Sequence, residues 1–315
     1  MTVDKIKIGV SGCLLGQEVR FNGQHKFHWY INEILGKYFE YVSMCPEVEI
    51  GMGIPRKTVR LVGDLKNPEM IEPKSGTNWT SKMNDYSRKK IARLGDLYGF
   101  LFKKGSPSCG VFRAKVYQKN GIPLANGRGL FADYFCKRWP LIPVEEEGRL
   151  NDSKLRENFL ERVFGYHRLK TLMEKRFKRS DWIKFHERNK FLLLSHSRKH
   201  YTMLGQLVAR IAQETSGDFK DKYASGYMEA LALKTTPKKH SDALLHILGF
   251  LKKTTTSKQK ADLLSSIENY RNGVVPLIVP ITLLNHYITI NEVPYITDQY
   301  YLNPHPADLS LRNHV

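Results

Sequence analysis

Near residue 150 the texture of this 315-residue chain changes, and that change limits the folds open to it more than any other feature. Before it, short apolar runs alternate with amphipathic stretches and Gly- or Pro-marked turns. Beyond it, long helical patterns follow one another with few strand signals. Residues 6–12, IKIGVSG, read as a buried strand running into a glycine turn, and a second strand around Phe39–Met44 ends at Cys45-Pro46. From about Thr80 to Lys103 the spacing of Met83, Tyr86, Ile91, Leu94, Leu97 and Leu101 predicts one amphipathic helix. The strand-like VFRAKVY, a polar turn at Lys119-Asn120-Gly121 and the Gly-rich NGRGLF come next. This alternation predicts an α/β domain with Rossmann-like layers around a mostly parallel sheet. SKLRENFLERVFGYHRLKTLMEKR and HYTMLGQLVARIAQ predict an all-α second domain, and the final Pro- and Asn-containing stretch is expected to pack through its tyrosines. Leu141-Ile142-Pro143-Val144 followed by Glu145-Glu146-Glu147-Gly148 is the expected exit from the first domain, which gives domains 1–150 and 151–315.

The charge balance bounds the partners. The formal net charge is +19, with 24 Lys+Arg against 15 Asp+Glu in residues 1–150 and 26 against 16 in the remainder, so both halves are basic. A polyanion is the implied partner, nucleic acid first, with solvated lysines as the plain alternative. Residues 168–200 are the most basic stretch: Lys175, Arg176, Lys178, Arg179, Lys184, Arg188, Arg198 and Lys199 are the candidate RNA contacts, joined by Arg168, Lys170 and Lys190, against only Glu174, Asp181 and Glu187. Phe177, Trp182, Phe185 and Phe191 interleave with them; aromatics so placed either stack on unpaired bases or fill a helical core. HSRKHYTMLGQ at 196–206 reads as helical, with His196 and His200 at i, i+4 in surface or RNA contact. No stretch approaches the roughly 20 apolar residues of a membrane span, and the start MTVDKIKIGV lacks the parts of a signal peptide. Four cysteines in a chain this long argue for a reducing cytoplasm.

Three of those cysteines sit in similar turns: Cys13 in VSGCLLG, Cys45 in SMCPE and Cys109 in GSPSCG. Loops of this kind, two of them directly after a predicted strand, are placed to converge at the carboxyl edge of a parallel sheet. Small neighbours allow the close backbone approach that a thiolate ligand needs. The paired knuckles of structural zinc and the four-cysteine spacing of ferredoxin clusters are both absent. Three dispersed thiolates fit a cubane 4Fe–4S cluster with one open iron; three buried cysteines acting as small apolar residues are the alternative. Glu47, behind Pro46, and Ser106, at the head of GSPSCG, are the candidates for water activation and proton relay, against ordinary turn chemistry. Cys136, in the aromatic run GLFADYFCKRW, reads as structural.

SGCLLG at 11–16, CPE at 45–47, GSPSCG at 105–110 and GRGLF at 127–131, in that order, resemble the thiouracil desulfidase family over roughly residues 5–150. The resemblance implies a 4Fe–4S cluster on Cys13, Cys45 and Cys109, catalytic roles for Glu47 and Ser106, and transfer of thiocarbonyl sulfur to the open iron. The stretch after CPE, VEIGMGIPRKTVRL, departs from the free-thiouracil version of the pattern, which bears on the substrate. The second half, most clearly at HSRKHY, is similar to the helical domain fused to bacterial desulfidases that act on 4-thiouridine in tRNA. The expected activity is therefore hydrolytic, non-redox desulfuration of 4-thiouridine in tRNA. The alternatives are a desulfidase of free thiouracil or thionucleotides, and a nucleic-acid-binding protein whose cluster is structural or redox-sensing.

Overall fold

The computed structural model describes residues 5–118 and 120–315; the first four residues of the start MTVD and Lys119 of the expected turn lie outside the described residues. Contacts divide the chain after Asp152, leaving Ser153–Val315 as a second compact unit.

Among the described residues the first unit holds eight strands: β1 Ile6–Ser11, β2 Phe39–Met44, β3 Arg60–Gly63, β4 Pro68–Ile71, β5 Phe100–Phe102, β6 Ala114–Tyr117, β7 Pro123–Gly127 and β8 Val144–Glu146. Its α-helices are α1 Pro46–Glu49, α2 Thr80–Ile91 and α3 Leu130–Arg138. One sheet has the order β2-β1-β5-β8 and every neighbour in it is parallel. The other, β4-β3-β6-β7, is mixed. β1 is central in the parallel sheet, which is why IKIGVS reads as a near-continuous apolar run instead of an alternating one. Gly9 is required there: a Cβ would stand 2.4 Å from the Phe100 ring on the neighbouring strand. Phe100 and Phe102, two residues apart on one face of β5, stack at 3.8 Å. They meet Phe131 and Phe135, one turn apart on α3, edge to face, and this aromatic block fixes α3 against the sheet.

The long helix expected over Thr80–Lys103 stops at Ile91. Leu94 and Leu97 are buried in turns, and Leu101 is the middle of β5. Gly95 and Gly99 break the helix, the Trp139 ring fills the space over Gly95, and pairing with β1 and β8 draws Phe100–Phe102 into the sheet. The expected domain exit at 141–148 is also displaced. Val144–Glu146 forms β8, and Glu145, Glu146 and Glu147 are all buried.

The second unit is helical: α4 Ser153–Glu174, α5 Arg179–His196, α6 Arg198–Ala209, α7 Ser216–Ala232, α8 Pro237–Leu251, α9 Ser257–Arg271, α10 Ile278–Ile290 and the short α11 Pro294–Thr297. Thr215, Thr236 and Thr256 cap α7, α8 and α9, the last through a capping box with Gln259. The segment 196–206 is not one helix. Ser197 adopts extended backbone, ends α5 and caps α6 by accepting from the His200 amide. His196 is fully buried: its Nε2 lies 3.0 Å from Glu161 and its Nδ1 2.6 Å from the Leu233 carbonyl, so it is not a surface contact. Trp182, Phe185 and Phe191 are buried as well, with Trp182 packed edge-on against Phe219 and Tyr223. These three are core, because helical periodicity carries them to the face opposite the charges, while Phe177, in the connection before α5, is half-buried against Trp182 and Phe219. Tyr301, in the C-terminal stretch, is fully buried.

Three histidines of this unit are held neutral. Burial pushes His186 down to about 4, His240 to about 3 and His305 to about 4, with nearby Lys190 or Arg312 adding to the shift. Each binds a proton in the unfolded chain below its ordinary 6.5 but not in the fold, so stability drops as pH falls from 6.5 toward those values. Glu157, pushed up to about 7 mainly by burial, works the other way between 4.5 and 7. We expect the net loss between pH 7 and 5 to be on the order of a few kcal/mol. Thermal unfolding followed by far-UV circular dichroism checks it, and an unchanged midpoint over that range would refute the assignment.

Candidate active site

Because β2, β1 and β5 are adjacent and parallel, their carboxyl ends emerge at one edge. Cys13 follows β1 in a short 3-10 turn, Cys45 follows β2, and Cys109 ends the loop that leaves β5. All three line one cavity of about 270 Å³, together with Glu47, Ser106, Ser108, Arg56 and the basic side chains Arg20, Lys57, Lys103 and Lys104. Cys136 stays on α3, outside that lining.

The four cysteines carry no disulfide. Burial pushes the Cys13 thiol up to about 11 and Cys109 to about 12, and raises Cys45 too. Cys45 adds to the shift of both others, the mark of three thiols facing a common space, while Lys103 and Arg20 pull Cys13 back down. Such thiols stay protonated at neutral pH unless a metal displaces the proton. Among the described residues, no three His, Cys, Asp or Glu side chains are gathered tightly enough to hold a single metal ion.

Glu47 accepts four side-chain hydrogen bonds on the cavity wall. Its Oε2 accepts from Arg56 Nη2 at 2.6 Å and Nε at 3.1 Å. Its Oε1 accepts from Ser108 Oγ at 2.7 Å and Ser106 Oγ at 3.2 Å. Arg56 is itself pinned, donating to the Val19 and Gly53 carbonyls, so the fork holds the carboxylate in one orientation. Ser106 heads the loop that ends at Cys109. Its Oγ accepts the Ser108 and Cys109 amides, which is turn chemistry, and it also contacts Glu47 and, at 2.9 Å, Ser108 Oγ. Ser108 and Arg56 were not legible as site residues. Ser108 is the closer hydroxyl to Glu47 and lies 3.6 Å from Cys109 Sγ; its place beside Cys109 in SPSC was the available signal.

A model of the 2-thiouracil desulfurase family matches residues 8–147, which span every group just described. The chain belongs to that family. A protein-of-unknown-function family, DUF1722, matches residues 190–306. Among curated proteins the chain is similar to uncharacterized YbgA of Escherichia coli (strain K12), 28% identical over 52% of this chain and 98% of that protein. It is also similar to uncharacterized YbbK of Bacillus subtilis (strain 168), 30% identical over 32% of this chain and 71% of that one. A solved 4Fe–4S-dependent thiouracil desulfidase, TudS, is 28% identical, covering 47% of this chain and 95% of its own, with a TM-score of 0.38.

In this desulfurase-family domain the loop bearing Ser106, Ser108 and Cys109 is gripped at both ends by buried carboxylates. Glu147 accepts the Lys104 amide at 2.7 Å and the Lys103 ammonium at 2.5 Å, just before Gly105. Glu146 accepts the Val111 amide at 2.7 Å and the Phe112 amide at 3.3 Å, just after Gly110. Glu146 and Glu147 therefore position the site; in the sequence their run read as the exit from the first domain, because a charge run carries no sign of burial. GRGLF supplies the third support. Gly129 donates to the Gly110 carbonyl at 2.7 Å, and a Cβ on it would stand 2.5 Å from the Ser108 carbonyl, so only glycine lets α3 start this close to the loop.

The basic residues named from sequence lie in the helical unit, on α4, α5, α6 and the 175–178 connection. Lys175, Arg176, Lys178, Arg179, Lys184, Arg198 and Lys199 are exposed. Arg188 is half-buried and paired to Asp298 at 2.8 Å, and Arg198 pairs with Asp242 at 2.7 Å.

Proposed function

We propose that the chain is a desulfidase that replaces the thiocarbonyl sulfur of 4-thiouridine in tRNA with oxygen, releasing sulfide. The observation that carries the reading is Glu47, held by Arg56, Ser106 and Ser108 on the wall of a cavity lined by three cysteines. Cys13, Cys45 and Cys109 would hold a 4Fe–4S cluster. Three cysteines lining one cavity fit a cubane with one open iron, because each cysteine of a cubane ligates a different iron. When bound, the cluster would supply an open, electrophilic iron for the sulfur.

This chain's residues supply the rest. Glu47 takes a proton from the water that attacks C4, and the adjoining hydroxyls of Ser106 and Ser108 carry that proton between Glu47 and the departing sulfur. Water contributes the new carbonyl oxygen and both hydrogens of the hydrogen sulfide, so no electron is gained or lost overall. Arg20, Lys57, Lys103 and Lys104 around the cavity suit a phosphate-bearing substrate. The basic helical unit is the element that would hold the RNA, with Lys175, Arg176, Lys178, Arg179, Lys184, Arg188, Arg198 and Lys199 as its candidate contacts. Four cysteines outside any disulfide suit a reducing cytoplasm, and among the described residues no helix is long and apolar enough to cross a membrane.

Purified without oxygen and carrying its cluster, the protein should convert 4-thiouridine in thiolated tRNA to uridine, read by nucleoside mass spectrometry. Turnover on tRNA should fall steeply with salt, because phosphate contacts are lost as counterions compete. Unchanged 4-thiouridine beside an intact cluster overturns the tRNA reading. Faster, salt-independent turnover of free 4-thiouracil would move the substrate to the free base.

A further inference from the structure

The helical unit carries a cavity of its own, about 370 Å³, that the desulfuration chemistry does not use. Arg168 of α4, Lys175 of the connection after it, Lys184 and Arg188 of α5, and Tyr300 of the C-terminal segment all line it; Asp181 is the acidic member of the lining. The guanidinium carbons of Arg168 and Arg188 lie 4.2 and 5.3 Å from the centre of the same Tyr300 ring. One aromatic face offsets only part of the repulsion between two fixed cations. Tyr300 cannot simply move away, because its amide donates to the Arg188 carbonyl at 2.9 Å and Gln299 Nε2 donates to the Glu187 carbonyl at 3.0 Å.

Arg168 Nη1 donates to the Pro304 carbonyl at 2.7 Å, and Arg188 Nη2 meets Asp298 at 2.8 Å. Arg168 also hydrogen-bonds Tyr227, whose phenol is raised to about 12 by burial, with the Arg168 charge and that bond pulling it back. Arg188 Nε is buried with no hydrogen-bond partner. Arg168, Lys175, Lys184 and Arg188 meet Asp181 as the acidic side chain of the lining, and a tetrahedral oxyanion supplies the missing negative charge to guanidinium and ammonium donors alike.

We propose that this cavity is a phosphate-binding site. It recognises one phosphate group, either a phosphodiester of an RNA backbone or a free phosphate. Only the first source rests on the reading of this unit as the RNA-holding element.

The test uses the full chain and three proteins: wild type, Arg188→Gln, and Lys184→Gln, whose exposed side chain tolerates change. Far-UV circular dichroism confirms that each is folded. Inorganic phosphate binding is read by 31P line broadening, and binding of a labelled, unmodified tRNA transcript by fluorescence anisotropy at two salt concentrations. The expected result is phosphate binding in wild type that both variants lose, transcript affinity weakened about tenfold by either, and a log–log salt slope lower by roughly one. Phosphate binding lost in both variants, with no transcript binding by any protein, keeps the site, assigns it to free phosphate and removes the RNA reading. Equal transcript binding by all three, with no phosphate binding, overturns the site and leaves the RNA reading standing. No binding of either probe to wild type overturns both.

Discussion

Glu47→Gln should lower desulfuration by about 10²- to 10⁴-fold, the usual contribution of a positioned general base, with the brown absorbance of the cluster unchanged. The amide can turn its oxygen to Arg56 and its nitrogen to Ser106 and Ser108, whose hydroxyls can accept, so the local bonds survive. What the variant lacks is the ability to take a proton. Turnover on thiolated tRNA and the visible spectrum must be read on the same sample. Activity within tenfold of wild type sinks the proposed role. Activity and absorbance lost together would assign Glu47 to holding the cavity instead.

The largest stability effect is expected at Arg312. This buried side chain donates to Glu157 at 3.1 Å and to Glu161 at 3.5 Å, and it also reaches the Tyr301 carbonyl. It ties the end of the chain to α4 at its start. Burial alone would push Glu161 up, yet His196 and Arg312 outweigh it and hold the carboxyl near 2. Arg312→Met leaves two buried carboxylates sharing His196, at a cost of about 3–5 kcal/mol for breaking a buried pair from one side. Denaturant unfolding of the helical signal measures it. Adding Glu157→Gln should restore part of the loss, because without Arg312 burial forces the Glu157 carboxyl to take up a proton that glutamine does not need. A single variant within 1 kcal/mol of wild type would mean that Arg312 does not carry the network.

The parallel sheet was legible because a strand buried on both faces has to be largely apolar, and IKIGVS, the inner strand, is. The helical half was legible because 3.6-residue periodicity persists through α4 and α6 without a partner's help. Where periodicity competed with tertiary pairing it misled: Leu101 kept helical spacing with Met83, yet β1 and β8 drew it into a strand. Similar spacing joined His196 to His200, while Ser197 separated them by capping α6.

The site divides the same way. Turn residues around Cys13, Cys45 and Cys109 mark loops, and loops after adjacent parallel strands share an edge, so the chain's own order brought the three thiols and Glu47 to one cavity. Ser106 was readable as the head of its turn. Arg56, Ser108, Glu146 and Glu147 were not, because what defines them is a partner: a carboxylate for the first two, and for the glutamates the amides of residues 104, 111 and 112. Local residue types determined which loops the chain would make. Only the tertiary structure decided which buried charges meet, because a charged side chain looks the same in sequence whether water or protein satisfies it.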